Sequence, residues 1–163
     1  MFSAYICNAK TFQDKFMSEL DILQRQVYTR GRNYRIDYSD EKGRDVVAVY
    51  VSSNALFFPH TPEMFREAVM EKDRYEWTRM KIRRAQKHIF IRDVYKQWYA
   101  TGINAEINSI DKLIDWLKDE VKGYKCLIIS GSSGGVFSGS HWGEAKGVSC
   151  HELQRAVGNI QPD

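Results

Sequence analysis

Apolar residues recur at spacings of three and four in two parts of the chain, which predicts two amphipathic helices. The first prediction covers residues 11–28, with Thr11 as the N-cap. The second helix begins after Asn108 or Ser109 and ends before Gly123. Its apolar stripe consists of Ile110, Leu113, Ile114, Leu117 and Val121. A shorter helix is predicted from Thr61-Pro62-Glu63 to about Met70, because Thr caps a helix, Pro suits its first position and Glu favours the positive end of its dipole.

Four other segments have the pattern of β-strands. Residues 34–38 alternate like an edge strand, and residues 46–51 form a stronger strand after the turn at 40–43. The sequence therefore predicts an antiparallel hairpin from these two strands. Residues 89–91 and 126–129 are apolar without alternation, which is typical of short strands buried on both faces. Because helices alternate with these later strands, we expect an α/β fold whose sheet is mainly parallel with an antiparallel edge.

The fourth strand runs into Gly131-Ser132-Ser133-Gly134-Gly135, which fits the pattern G-x-S-x-G. At a nucleophile elbow, small flanking residues let the backbone turn sharply between a strand and a helix. Ser133 would then expose its hydroxyl above the end of the strand. The backbone N–H of Gly134 would face the oxyanion formed during acyl transfer. A solvated glycine-serine loop has the same composition, so the pattern alone leaves both interpretations open.

Several polar residues follow directly after predicted strands. Ser53 and Asn54 follow the second strand, Arg92 and Asp93 follow the third, and Ser133 follows the fourth. Ligands of open α/β sheets bind at the carboxyl ends of the strands. These five residues are therefore the candidate site, with Arg92 and Asp93 as lining residues.

Composition and charge restrict the other classes of function. The 163 residues carry a formal net charge of +3, which by itself indicates neither nucleic-acid nor membrane binding. No apolar run approaches the length of a membrane span, and the N-terminus lacks the pattern of a signal peptide. The three cysteines form no C-x-x-C pair, so we expect free thiols and a cytoplasmic location. We expect no metal site and no cofactor, since the histidines and cysteines lack ligand spacing and no Gly-Lys-Ser/Thr follows the glycines.

Residues 72–88 are an alternative functional segment. They contain seven basic residues against two acidic ones, a local net charge of +5, with Tyr75 and Trp77 interleaved. A basic groove with aromatic residues is one way to bind nucleic acid, which would make the protein a non-catalytic basic binding module. The simpler interpretation, which we favour, is a solvated connection whose apolar residues pack inward.

The chain also resembles α/β-hydrolase-fold proteins, in particular bacterial hydrolase-like proteins encoded among surface-polysaccharide genes. The resemblance covers roughly residues 45–135 and is carried by the stretches 49–56, 87–99, 102–104, 107–113 and 131–133. It implies a serine hydrolase or acyltransferase that acts on a small ester, with an acylated sugar as one candidate. By this resemblance Ser133 is the nucleophile and Gly134 supplies one oxyanion donor. The loop at Ser52-Ser53-Asn54 is the source of the second donor.

The segment after Ser133 departs from that family. In α/β-hydrolases the acid and the histidine follow the serine, each after a later strand. Here 30 residues follow, and they include His141 and His151 but no convincing pair of strands. We therefore expect a chain with impaired catalysis. Residues 135–147 contain four glycines and no helical stripe, and a shifted reading frame can encode an apolar helix and a strand. The hypothesis is that residues 1–135 are the N-terminal part of one hydrolase-like domain, whereas 136–163 are an out-of-frame, poorly ordered tail. Such a domain would have an exposed sheet edge, which would favour self-association.

Overall fold

The computed structural model describes residues 17–39, 45–52 and 58–131. Its helices are α1 (Glu19–Arg30), α2 (Pro62–Phe65), which continues into a π-helical segment (Arg66–Glu71), and α3 (Ile110–Glu120). Its strands are β1 (Tyr34–Tyr38), β2 (Val46–Val51), β3 (Lys87–Ile91) and β4 (Cys126–Gly131). Within these ranges, no helix has the length and apolar content needed to cross a membrane.

The four strands form one mixed sheet in the order β1-β3-β2-β4. β2 is parallel to both β3 and β4, whereas β1 is antiparallel to β3. The prediction of a mainly parallel sheet with an antiparallel edge is thus confirmed. The predicted hairpin is wrong, because β3 lies between β1 and β2 and takes the hydrogen bonds of both. All five residues of β3 are buried, as expected for a strand that pairs on both of its sides.

The helix termini follow their capping residues. α1 starts at Glu19, because Ser18 and Asp21 form a reciprocal capping box that leaves Ser18 extended. The helix predicted over residues 11–28 is therefore not continuous through Met17 and Ser18. Residues 11–16 lie outside the described part of the chain. Thr61 caps α2 with Pro62 in the first turn, and Ser109 caps α3, as the sequence predicts.

The sheet has an apolar cluster on each face. Val47, Val49 and Val51 project towards α3, where Leu113 and Leu117 are buried against them. Ala48 and Tyr50 project to the opposite face and pack with Phe90, Tyr75 and Ala85. This alternation explains why β2 is buried on both faces. β4 is an edge strand of the described sheet and is only half-buried over most of its length, whereas the sequence predicts full burial.

A third cluster lies where the N-terminal helices meet the end of β3. It contains Leu23 of α1, Phe65 of α2, Ala68, Val69 and Val94. The side chain of Gln24 is buried beside it and donates to the carbonyl oxygen of Val94 at 2.8 Å. α1 is therefore attached to the loop that follows β3, at the same edge of the sheet as the candidate site.

Candidate functional site

The parallel strands end in line at one edge of the sheet. Val51 lies opposite Ile91 on one side and opposite Gly131 on the other. Since neighbouring strands are about 4.8 Å apart, the chain leaves β2 and β4 from adjacent positions. Ser52 and Gly131 are the last described residues before the two loops of the candidate site. The predicted site residues Ser53, Asn54, Ser133 and Gly134 lie outside the described residues.

The end of β2 is held by two aromatic side chains. The backbone N–H of Ser52 points at the hydroxyl oxygen of Tyr99, 2.9 Å away, and also at the carbonyl oxygen of Ile91, 3.3 Å away. The indole N–H of Trp77 donates to the carbonyl oxygen of Val51 at 3.3 Å. The hydroxyl of Tyr99 also lies 3.4 Å from the carbonyl oxygen of Ser52 and 3.3 Å from that of Ile91. The N–H of Ser52 is thus engaged with protein groups, and its direction is fixed by them.

Tyr99 reaches the strand ends from a loop with unusual backbone conformation. Lys96, Trp98 and Tyr99 have φ values of 54°, 54° and 63°, in the left-handed region that non-glycine residues rarely adopt. Tyr99 is only 1% exposed, and burial raises the pKa of its phenol well above the ordinary value. The hydroxyl is therefore neutral at physiological pH and can both accept one hydrogen bond and donate another.

Asp93 is buried beneath this loop. It is 1% exposed, and its Oδ2 accepts a hydrogen bond from the backbone N–H of Tyr99 at 3.2 Å. Its Oδ1 is buried without a hydrogen-bond partner among the described residues. Burial raises the pKa of Asp93, and the backbone N–H groups of the loop, that of Tyr99 foremost, oppose this rise. The carboxylate thus supports the conformation of the loop.

Arg92 is also buried at the end of β3, on the side of β1. Its Nη2 donates to the side-chain oxygen of Asn33 and to the carboxylate of Asp73, at 3.1 and 3.0 Å. Its Nη1 donates to the carbonyl oxygen of Arg74, and its guanidinium stacks 4.5 Å from the ring centre of Tyr75. These contacts join the end of β3 to Asn33, which precedes β1, and to the loop after the π-helical segment. The structure places Arg92 and Asp93 at the predicted edge, and their side chains bind other protein groups there.

Sequence reasoning missed Tyr99 and Trp77 as part of this edge. Tyr99 lies in a stretch whose secondary structure the pattern leaves open, and Trp77 was assigned to the basic segment. The expectation that ligands bind at the carboxyl ends of strands does not select these two residues, because neither directly follows a strand. The run Arg92 to Tyr99, which carries part of the family resemblance, is the one signal that could have directed attention to Tyr99.

The two aromatic residues of the basic segment, Tyr75 and Trp77, pack against the sheet. Tyr75 is buried and Trp77 is half-buried, and both pack on the inner face with Tyr50 and Phe90. Lys87 is buried too, and its Nζ contacts the carboxylate of Glu120 at 2.6 Å. The inward packing that we favour is thus confirmed for Tyr75, Trp77 and Ile82, whereas Met80 is 62% exposed. The basic residues of the segment that are exposed include Arg79, Arg83 and Arg84.

The two described histidines differ in setting. His88 is buried near the start of β3, three residues from the strand's carboxyl end, so it lies about 10 Å from the candidate edge. Its Nδ1 is 3.1 Å from the hydroxyl of Tyr50, and burial lowers its pKa. His60 is exposed and follows the residues that lie outside the described ranges. His141 and His151 lie outside the described residues.

Comparisons with known proteins leave the chain without an assigned relative. No protein-family model, no curated protein and no solved structure matches it. Within residues 17–39, 45–52 and 58–131, no group of three or more His, Cys, Asp or Glu side chains is arranged to hold a metal ion.

Proposed function

We propose that this protein is a serine hydrolase or acyltransferase that acts on a small ester, with Ser133 as the nucleophile. The observation that carries the proposal is the pairing of Val51 with Gly131 at the ends of two adjacent parallel strands. The loop with Ser53 and Asn54 therefore starts beside the loop with Ser133. An acyl-transfer site needs this adjacency, because one loop supplies the nucleophile and the other supplies an oxyanion donor.

The hydrogen bonds at Ser52 restrict the second donor. The Ser52 N–H is already engaged by Tyr99 and Ile91, so it cannot also stabilise an oxyanion. The second donor then comes from the N–H of Ser53 or Asn54, and the first comes from Gly134. When Ser133 attacks the ester carbonyl, these two N–H groups stabilise the negative charge on the carbonyl oxygen. The carbonyl re-forms as the alcohol leaves with the proton of the Ser133 hydroxyl, which gives an acyl-serine. Water or an acceptor hydroxyl then attacks the acyl group and returns a proton to the Ser133 oxygen.

A low turnover is part of the proposal. A serine hydroxyl is a weak nucleophile unless a base is positioned beside it. His88 is about 10 Å from the candidate edge along β3, so it cannot take the proton from Ser133. The family order also offers no acid-histidine pair in a convincing position. We therefore expect ester turnover well below that of a serine hydrolase with an intact triad.

A fluorophosphonate probe tests the proposal, because it labels serine nucleophiles covalently. We expect labelling of the wild-type protein at a rate well below that of a serine hydrolase with an intact triad, and no labelling of Ser133→Ala. The matched control is Ser132→Ala, which removes a hydroxyl from the neighbouring residue of the same pentad and should keep the labelling. Absence of labelling in folded wild-type protein, or equal labelling of both variants, contradicts the assignment of Ser133.

A second candidate function is binding of a polyanion by the exposed arginines of residues 72–88. Arg79, Arg83 and Arg84 are exposed, so an electrostatic contact needs no rearrangement of the fold. The inward aromatic residues remove the stacking contribution, which leaves charge as the attraction. Replacing the three arginines with glutamine should abolish retention on heparin. The control variant replaces Lys112 and Lys122, which are exposed on or just after α3, and α3 packs on the opposite face of the sheet. This control should keep its retention, and equal losses in both variants contradict this function.

A further inference from the structure

We propose that Arg35 and Arg92 form a binding site for a phosphate or phosphomonoester group, and that the carboxylate of Asp73 occupies this site when no such ligand is bound. The site lies beside the carboxyl end of β3, on the face of the sheet that carries Phe90 and Tyr75. The inference does not depend on the proposed acyl transfer, because every residue that it uses belongs to the described part of the chain.

The two arginines are diagonal neighbours across the antiparallel pair of β1 and β3. Arg35 lies opposite Phe90. The ladder continues beyond β3, because the backbone N–H of Arg92 donates to the carbonyl oxygen of Asn33 at 2.9 Å. Residues two apart in a strand project to the same face, so Arg92 shares the face of Phe90. Diagonal neighbours are about 7–8 Å apart, a distance over which two long side chains can reach one anion.

Arg92 is anchored by protein groups, yet one of its donors is left over. Its side chain is 4% exposed, and its Nη2 donates to Asn33 and to Oδ1 of Asp73. Its Nε is buried and has no hydrogen-bond partner among the described residues. A guanidinium binds phosphate and carboxylate groups best through two parallel N–H donors. Asp73 contacts Arg92 through a single oxygen, at 3.0 Å, so the resident carboxylate leaves this capacity unused.

Arg35 supplies a second cation that solvent can reach. Its side chain is 53% exposed, and its Nε donates to Asp37 at 2.8 Å. Its pKa is raised, first by this hydrogen bond and further by the charges of Asp37 and Asp73. The carboxylate of Asp73 therefore interacts with both arginines. Because Asp37 is also paired with Lys81, displacement of Asp73 leaves two positive charges of this group uncompensated.

Asp73 has the properties of an occupant that a ligand can displace. Its side chain is 70% exposed, so solvent screens its single ion pair. Its φ of 41° lies in the left-handed region, which non-glycine residues adopt rarely and often at functional sites. A monocarboxylate ligand would replace Asp73 with an equal charge and gain nothing. A phosphate group carries about two negative charges at neutral pH, which matches the two charges left uncompensated.

Titration of the full chain, followed by ³¹P NMR at constant ionic strength, tests the site with inorganic phosphate and phenyl phosphate as separate probes. Asp73→Asn removes the resident charge, and Asn tolerates positive φ. We expect both probes to bind at least tenfold more tightly to Asp73→Asn than to the wild type. The matched control is Asp115→Asn, because Asp115 is 72% exposed and also forms one ion pair at 3.0 Å, with Lys118. Its affinity should stay within twofold of the wild type.

Equal affinities of Asp73→Asn and Asp115→Asn overturn the inference. Adding Arg35→Gln to Asp73→Asn should weaken binding at least tenfold, and an unchanged affinity also overturns it. Adding glutamine at Arg79, Arg83 and Arg84 instead should change the affinity less than twofold; a loss as large as that from Arg35→Gln would assign the binding to the polyanion surface and contradict this site.

The melting temperature gives an independent measurement, which holds even if the variants differ in stability. A ligand that binds the folded state raises its stability. Phosphate should therefore raise the melting temperature of Asp73→Asn by more than that of Asp115→Asn, and equal increases contradict the site. Tighter binding of phenyl phosphate than of inorganic phosphate to Asp73→Asn indicates a phosphomonoester ligand, and the reverse order indicates the free anion.

Discussion

Replacing Gly102 with alanine should be far more destabilising than the same change at Gly123. Both glycines have positive φ, +66° and +88°, so both variants incur the left-handed cost of about 1–2 kcal/mol. The reduced freedom of the unfolded chain offsets about 0.4–1 kcal/mol of it. A Cβ at Gly123 meets nothing within 4 Å. We therefore expect Gly123→Ala to lower the free energy of unfolding by about 1 kcal/mol.

At Gly102 the added Cβ has no space. It would lie 1.9 Å from the carbonyl oxygen of Ile107 and 2.7 Å from the backbone nitrogen of Ser109. These are backbone atoms, so they can yield only if the turn moves. That carbonyl accepts hydrogen bonds from Ile103 and Asn104, worth about 1 kcal/mol each, and Ser109 caps α3 for about another 1 kcal/mol. The expected loss for Gly102→Ala is about 4 kcal/mol.

Urea unfolding of the two alanine variants, followed by far-UV circular dichroism, measures the difference. Gly123→Ala is the control for backbone strain, so the difference between the variants reports the clash alone. Two variants within about 0.5 kcal/mol of each other, inside the usual range of a neutral surface change, would refute the close approach of Gly102 to Ile107. Because Gly102 ends the turn that starts at Tyr99, the same result would weaken the geometry assigned to Tyr99.

Three further outcomes follow from buried polar groups. Lys87→Met should lower the free energy of unfolding by about 2 kcal/mol, because Lys87 donates both to the carbonyl oxygen and to the carboxylate of Glu120 at the end of α3. Urea unfolding measures this loss, and a value below about 0.5 kcal/mol would contradict the two contacts. In the same assay, Arg92→Lys should lower the free energy of unfolding by about 2–3 kcal/mol, because an ammonium cannot reproduce the several contacts of the planar guanidinium. A variant as stable as the wild type would be inconsistent with these contacts. Burial lowers the pKa of His88 in the folded state below the ordinary value of 6.5. As the pH falls below 6.5, the unfolded state therefore takes up a proton at His88 before the folded state does. The free energy of unfolding decreases over this range, down to the lowered pKa. His88→Gln should reduce the dependence of the free energy of unfolding on pH over this range. An unchanged slope would argue against a buried His88 with a lowered pKa.

The sequence predicts where Arg92 and Asp93 lie in the fold but not what their side chains bind. Arg92 and Asp93 follow a strand, and parallel strands place such residues at one edge, which the structure confirms. The roles of their side chains depend on contacts with Asn33, Asp73 and the loop before Tyr99, which no local pattern reveals. The assignment of Ser133 as nucleophile stays a prediction, and the fluorophosphonate experiment decides it.

The sequence by itself determined the local elements. Thr61 and Ser109 set the starts of α2 and α3, because their side chains accept hydrogen bonds from backbone N–H groups of the first helical turn. The apolar runs define β2, β3 and β4. Only the tertiary structure decided that β1 pairs with β3 and that Tyr99 bonds Ser52. The physical reason is distance along the chain. Capping and side-chain periodicity act over a few residues, whereas strand partners and buried hydroxyl contacts are chosen by how the whole core packs.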